Sequence, residues 1–134
     1  MASFSLDRVS VERRKIAPRA GLVFSLPLPP AANDLFVTVP GAGRSASDAY
    51  TRWKEAARNE LAKQARRYFA GPVTVGITFE DRGRYEIENR ARPILDLLAS
   101  QRFIADGSRG TVRSLQLKWG DVSGCQVHVE PIQR

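Results

Sequence analysis

Residues 73–109 read VTVGITFEDRGRYEIENRARPILDLLASQRFIADGSR, and the succession of patterns within them decides the fold. Val73, Val75, Ile77 and Phe79 alternate with Thr74, Gly76, Thr78 and Glu80, a period of two that predicts a strand with one buried face. The strand runs into Asp81 and a charged stretch. Ile94, Leu95, Leu97 and Leu98 then supply the buried face of a helix. Pro93 belongs in its first turn, where a missing amide hydrogen costs little, and the helix should end near Gln101 or Arg102.

The charged stretch at this junction carries the chemistry. Glu86 and Glu88 are one residue apart, so on an extended segment both carboxylates project from the same face. Asn89, Arg90 and Arg92 follow at once, and Asp106 lies beyond the helix in a Gly/Ser-containing loop. Three carboxylates converging at one helix-strand junction suit a hard divalent cation such as magnesium. Such ions are held by one or two carboxylates plus water and substrate phosphate, and can drive phosphodiester hydrolysis. The competing reading is an ordinary solvated strand face, on which E-x-E is common.

Working outward, Gly21 to Leu28 is β-rich and is stopped by Pro29 and Pro30, which suits a first or edge strand. Asn33 to Arg44 contains Pro40, Gly41 and Gly43 and reads either as a plain loop or as an open hairpin arm able to lie against a ligand. Ser47 is a candidate N-cap for a helix on which Tyr50, Trp53, Ala57, Leu61, Ala65 and Tyr68 recur at helical spacing, and Gly71-Pro72 should end it. Its aromatic residues are read as core, and Lys54, Arg58, Lys63, Arg66 and Arg67, interleaved with Glu55 and Glu60, as its solvated side. Thr111 to Trp119 and Cys125 to Ile132 are two further strands, expected to form a hairpin through Gly120-Asp121 and Gly124. The expected fold is a small single-domain α+β protein, a mixed sheet packed with two helices over residues 21–134. Residues 1–20 are expected to be a flexible basic extension.

Composition narrows the partners. The 134 residues carry 21 Lys and Arg against 14 Asp and Glu, a formal charge of +7, which favours polyanions and above all nucleic acid. A hydrophobic content of 43% argues for a folded core without disulfides. Cys125 is the single cysteine and His128 the single histidine, which excludes an internal disulfide and disfavours a Cys/His zinc site. No apolar run approaches a membrane span, so the expectation is a cytoplasmic protein without membrane attachment.

From about Leu22 onward the chain resembles the RusA family of Holliday junction resolvases. Leu26-Pro27-Leu28-Pro29-Pro30 followed by Asn33 is similar to that family's opening L-P-x-P-P-S-x-N, and the capped helix begins near Ser47 with Tyr50. Glu86-Ile87-Glu88-Asn89, Arg92-Pro93, Asp96, Leu98 and Asp106 resemble D-x-D-N-x-x-K-P-x-x-D-A-L and its later acidic pair. The resemblance implies a RusA-like fold and a homodimer. It also implies a magnesium-dependent endodeoxyribonuclease, in which manganese can substitute, that resolves four-way DNA junctions in recombination and repair. It assigns metal binding to Glu86, Glu88 and Asp106, and catalysis to these three together with Arg92. Arg82, Arg84, Asn89, Arg90 and Arg109 are expected to contact DNA. The sequence departs from the pattern at Glu86 and Glu88, where the family has aspartates, at Arg92 in place of lysine, and at Gly107 in place of a second acid. These departures define the alternative, a non-catalytic RusA-like protein that binds branched DNA. A further alternative is a general nucleic-acid or RNA-binding domain alike in architecture only. Asp96, four residues after Arg92, is read as its salt-bridge partner on the helix.

Overall fold

The central strand of the fold is the alternating segment Val73–Glu80. In the computed structural model, which describes residues 21–64, 66–83 and 85–132, Val73, Val75, Ile77 and Phe79 are at most 1% exposed. Six strands are present among these residues: β1 Leu22–Leu26, β2 Phe36–Val39, β3 Gly43–Ala46, β4 Val73–Glu80, β5 Val112–Gly120 and β6 Cys125–Pro131. Two helices, α1 Asp48–Ala62 and α2 Ala91–Ser100, and two short 3-10 helices, Ala32–Asp34 and Ile87–Arg90, complete the fold. It is a small single-domain α+β protein with a mixed sheet and two helices. The extension expected over residues 1–20 lies outside the described residues, as do Ala65 and Arg84.

The main sheet has the order β1-β6-β4-β5, with β4 parallel to β5 and antiparallel to β6. The inward rows of β1, β4 and β6 meet Trp53, Ala57 and Leu61 of α1 and Ile94, Leu97 and Leu98 of α2 in one core. Phe24 and Phe103 pack at 5.2 Å between ring centres within it. Burial of this continuous apolar row is what makes β4 central, since a strand with a wholly covered face is stabilised by neighbours on both edges.

That placement corrects the expected β5/β6 hairpin. The two strands are consecutive but not paired, because β4 lies between them. Their short link crosses the end of β4 and satisfies its last polar groups. The Glu80 N–H donates to the Gly124 carbonyl at 2.9 Å, the Asp81 N–H to the Gly120 carbonyl at 3.1 Å, and the Gly124 N–H to Glu80 Oε1 at 2.6 Å. A simple hairpin would have left β4 with one unpaired edge, at a cost for each buried backbone group.

The first helix is shorter than its periodicity predicts. It ends at Ala62, with the Lys63 N–H closing on the Glu60 and Leu61 carbonyls, and Tyr68 is 50% exposed outside it rather than in the core. Gln64 accounts for the early stop. Its Nε2 donates to the Ser25 carbonyl at 2.9 Å while its Oε1 accepts from the Ser25 N–H at 2.9 Å, so one amide side chain stands in for a strand beside β1. The chain then runs on until Phe69 bonds the Phe103 carbonyl, and Gly71-Pro72 precedes β4 instead of ending a helix.

The N-cap reading holds. Ser47 Oγ accepts from the Tyr50 N–H at 3.1 Å and donates to the Asp34 carbonyl at 2.7 Å, tying α1 to the turn before it. Ser47→Ala is expected to cost about 1–2 kcal/mol through loss of both bonds. That corresponds to a Tm lower by about 3–10 °C in thermal unfolding followed by circular dichroism. Of the two readings of Asn33 to Arg44, the hairpin arm is the one formed, by β2 and β3. The second helix has the expected position, with Pro93 buried in its first turn and Gln101 as its C-cap. Among the described residues, no helix is long and apolar enough to cross a membrane.

Candidate metal and nucleic-acid site

The segment between β4 and α2 is held from inside by two side chains that alternate with the acids. Tyr85 donates its hydroxyl to the Glu80 carbonyl and sets its ring 4.8 Å from Trp119 in an edge contact. Ile87 packs against the core. Burial pushes the Tyr85 phenol up from its ordinary value, with the Glu80 carboxylate adding to the effect, so it remains a neutral donor. With Tyr85 and Ile87 turned in, Glu86 and Glu88 are left exposed.

The backbone here differs from the extended segment expected. Glu86 is extended at φ −102° and ψ 126°, but Ile87–Arg90 wind into a 3-10 helix that feeds directly into α2. In such a helix residues three apart eclipse. The consequence is that Asn89 Nδ2 donates to Glu86 Oε1 at 2.9 Å, which fixes one carboxylate oxygen and leaves the other open. Glu86 and Glu88 thus share one exposed turn, though not through strand geometry.

The other expected residues separate into two groups. Arg92 stands exposed one position into α2, and its Nε lies 3.3 Å from Asp96 Oδ1, the helix pair anticipated from their spacing. Being exposed, this pair contributes little to stability and leaves the guanidinium free to turn to an anion. Arg82 and Asn89 are exposed on the same connection. Arg90 is not an open cation: it is half-buried, stacks 4.8 Å above the Tyr85 ring and donates through Nη1 to the Pro29 carbonyl. Its Nε is buried with no hydrogen-bond partner among the described residues. It ties the acidic turn to the proline segment after β1, a role for which the sequence carried no local signal. Arg84 lies outside the described residues.

Asp106 and Arg109 sit elsewhere. α2 carries the chain back along the sheet, and Ile104 bridges Phe69 just before β4, so Asp106 precedes β5 at the opposite end of the parallel pair. The eight-residue β4, roughly 26 Å long at ~3.3 Å per residue, separates that loop from the Glu86 turn. The expected convergence of three carboxylates is therefore not formed within one chain. Asp106 instead accepts from the Ser108 N–H at 2.8 Å, and the Ser108 and Thr111 groups hold its carboxyl below the ordinary range. Arg109 is exposed in the same loop. Among the described residues, no set of three or more His, Cys, Asp or Glu side chains is gathered for a metal ion.

Two acids remain on this turn as candidate donors for a hard cation. Glu86 and Glu88 offer exposed carboxylate oxygens, and neither is in an ion pair among the described residues. One or two carboxylates completed by water and substrate phosphate is the usual magnesium arrangement. The turn also lies beyond the C-terminal end of β4 in the parallel β4-α2-β5 unit, the end at which open α/β sheets bind ligands. Tyr85 and Arg90 were missed as supports of this turn. The alternation of Tyr85 and Ile87 against Glu86 and Glu88 was the available signal for the first.

No family model matches the chain, and no curated protein matches it significantly.

Proposed function

We propose that this chain is a magnesium-dependent, structure-selective endodeoxyribonuclease acting on four-way DNA junctions, with the Glu86–Arg92 turn as its site. The observation that carries the reading is the pair of exposed carboxylates beyond the C-terminal end of β4, neither in an ion pair among the described residues, with Arg92 one step into α2. Glu86 and Glu88 would hold the metal, which when bound activates water and neutralises charge on the phosphodiester. Asn89 orients Glu86. Arg92 is always protonated, so it contributes charge to the phosphate and does not carry a proton. Tyr85 and Arg90 hold the turn rigid against the sheet edge and the proline segment. The resemblance to RusA resolvases supplies the junction and the homodimer. Paired nicks on a two-fold substrate require two such sites.

A second reading, a junction binder without catalysis, is favoured by one observation: only two of the expected three acids lie on this turn. The two are separated by incubating the protein with a labelled mobile four-way junction and a matched linear duplex. Magnesium, manganese or chelator is added in parallel. Paired, metal-dependent nicks confined to the junction are the expected result. Selective junction binding with no product in either metal selects the second reading, and equal binding to junction, duplex and RNA overturns both.

A further inference from the structure

The β2–β3 hairpin forms its own two-stranded sheet, separate from the main one. Phe36 and Val37 are adjacent in β2, so they face opposite sides of the ribbon, yet they are 43% and 49% exposed. The ribbon thus leaves a large apolar side chain about half open on each of its faces. The Arg44 guanidinium lies 4.8 Å over the Phe36 ring, and Phe36 meets Tyr50 edge-on at 5.8 Å. Lys54 Nζ stands 4.4 Å from the Tyr50 ring centre, so cations and rings alternate from the ribbon onto α1. No acidic residue occurs between Leu35 and Ser47, in a chain of formal charge +7.

The ribbon also leads to the proposed site. The Ser47 N–H bonds the Leu35 carbonyl at the ribbon's base, and the adjoining 3-10 helix Ala32–Asp34 contacts the one that carries Glu88. Tyr50 and Lys54 share a shallow hollow with Asp96, the partner of Arg92. At its tip, Gly41 and Gly43 have φ of 77° and 79° with open space around them, so the turn is narrow and unobstructed.

We propose that the β2–β3 ribbon is a stacking arm for unpaired DNA bases, with Phe36 and Arg44 forming a platform for a base beside the branch point. Flat rings and guanidinium planes stack on any exposed base, whereas bases inside a duplex are already stacked on one another. The Arg44 charge adds phosphate attraction. This inference rests on the nucleic-acid reading of the site and names the part of the substrate that the site would select.

The test uses Phe36→Leu, which keeps an apolar cover over Tyr50 but removes the flat ring, and Arg44→Gln at an exposed position. Binding is measured in chelator to a single-stranded oligonucleotide, a linear duplex, and a four-way junction carrying 2-aminopurine at the branch. Thermal unfolding and light-scattering mass are recorded for each variant. Both variants are expected to bind the single strand and the junction about 10-fold more weakly, and to lose the 2-aminopurine quenching seen with wild type. Duplex binding should stay within about two-fold, with unchanged unfolding. Equal losses on all three DNAs, or no loss in a folded variant, overturn the inference. A changed oligomeric mass with unchanged DNA affinity overturns it too, because the arm then contacts a second copy. Arm-dependent stacking by a wild-type protein that nicks nothing in either metal upholds the arm while rejecting the nuclease reading.

Discussion

Glu88→Gln and Glu86→Gln are each expected to lower junction nicking by more than about 100-fold while junction binding in chelator stays within about two-fold. Glutamine keeps the shape of the side chain but removes the negative charge on which a divalent cation depends. The loss should therefore fall on the metal-assisted step. Binding should hold or tighten slightly, since each change removes a like charge facing phosphate. The turn itself should survive. At position 86 the glutamine carbonyl can still accept from Asn89 Nδ2, as Glu86 Oε1 does at 2.9 Å. Glu88 is exposed with no ion pair among the described residues. Single-turnover nicking at saturating protein, run beside a gel-shift titration, reads both quantities. Full cleavage by both variants would remove the site from this turn. Parallel loss of binding and cleavage would make the acids structural.

The largest effect on stability is expected at Gly124, where Ala should cost about 3 kcal/mol and lower the Tm by roughly 10–15 °C. Two penalties combine. The backbone has φ 71°, a conformation in which a side chain is strained by about 1–2 kcal/mol. A Cβ there would also lie 2.4 Å from the Leu26 carbonyl oxygen and 3.3 Å from Pro27 Cα, both backbone atoms that cannot swing aside. Moving this loop disturbs the bonds by which it grips Glu80, and those bonds hold the end of β4 from which the proposed site departs. Gly71→Ala is the control, since a Cβ there meets nothing within 4 Å. Urea unfolding of the two variants should show a large drop in midpoint for the first and little for the second. Similar midpoints would mean that the crossing loop yields easily.

Much is legible in the sequence because the relevant forces act within a few residues. The alternation along β4 marks a strand, since burial on one face needs a period of two, and Ser47 marks a helix start by offering an oxygen to an amide three residues on. The apolar face of α2, with Pro93 in its first turn, and the pairing of Arg92 with Asp96 are equally local. The closeness of Glu86, Glu88 and Asn89 in the chain was equally plain, but the 3-10 turn that holds them was not, since they read as an extended segment.

Tertiary structure decided what depends on distant partners. β5 and β6 each carry a strand pattern, and nothing local says that they flank β4 instead of pairing. The choice follows from β4 being the strand whose two edges most need satisfying. Helix propensity was overridden beyond Ala62 because Gln64 serves the edge of β1, a bond across 39 residues. Arg90 reads as a surface cation in sequence and is turned inward by Pro29, 61 residues away. Asp106 reads as a third ligand until the return along α2 carries it to the far end of the sheet. Sequence alone thus determined where the strands and helices lie and which charges sit between β4 and α2, because those patterns arise from contacts a few residues apart. Strand order and the company each charge keeps were decided by the fold, because those choices are made between segments that only packing brings together.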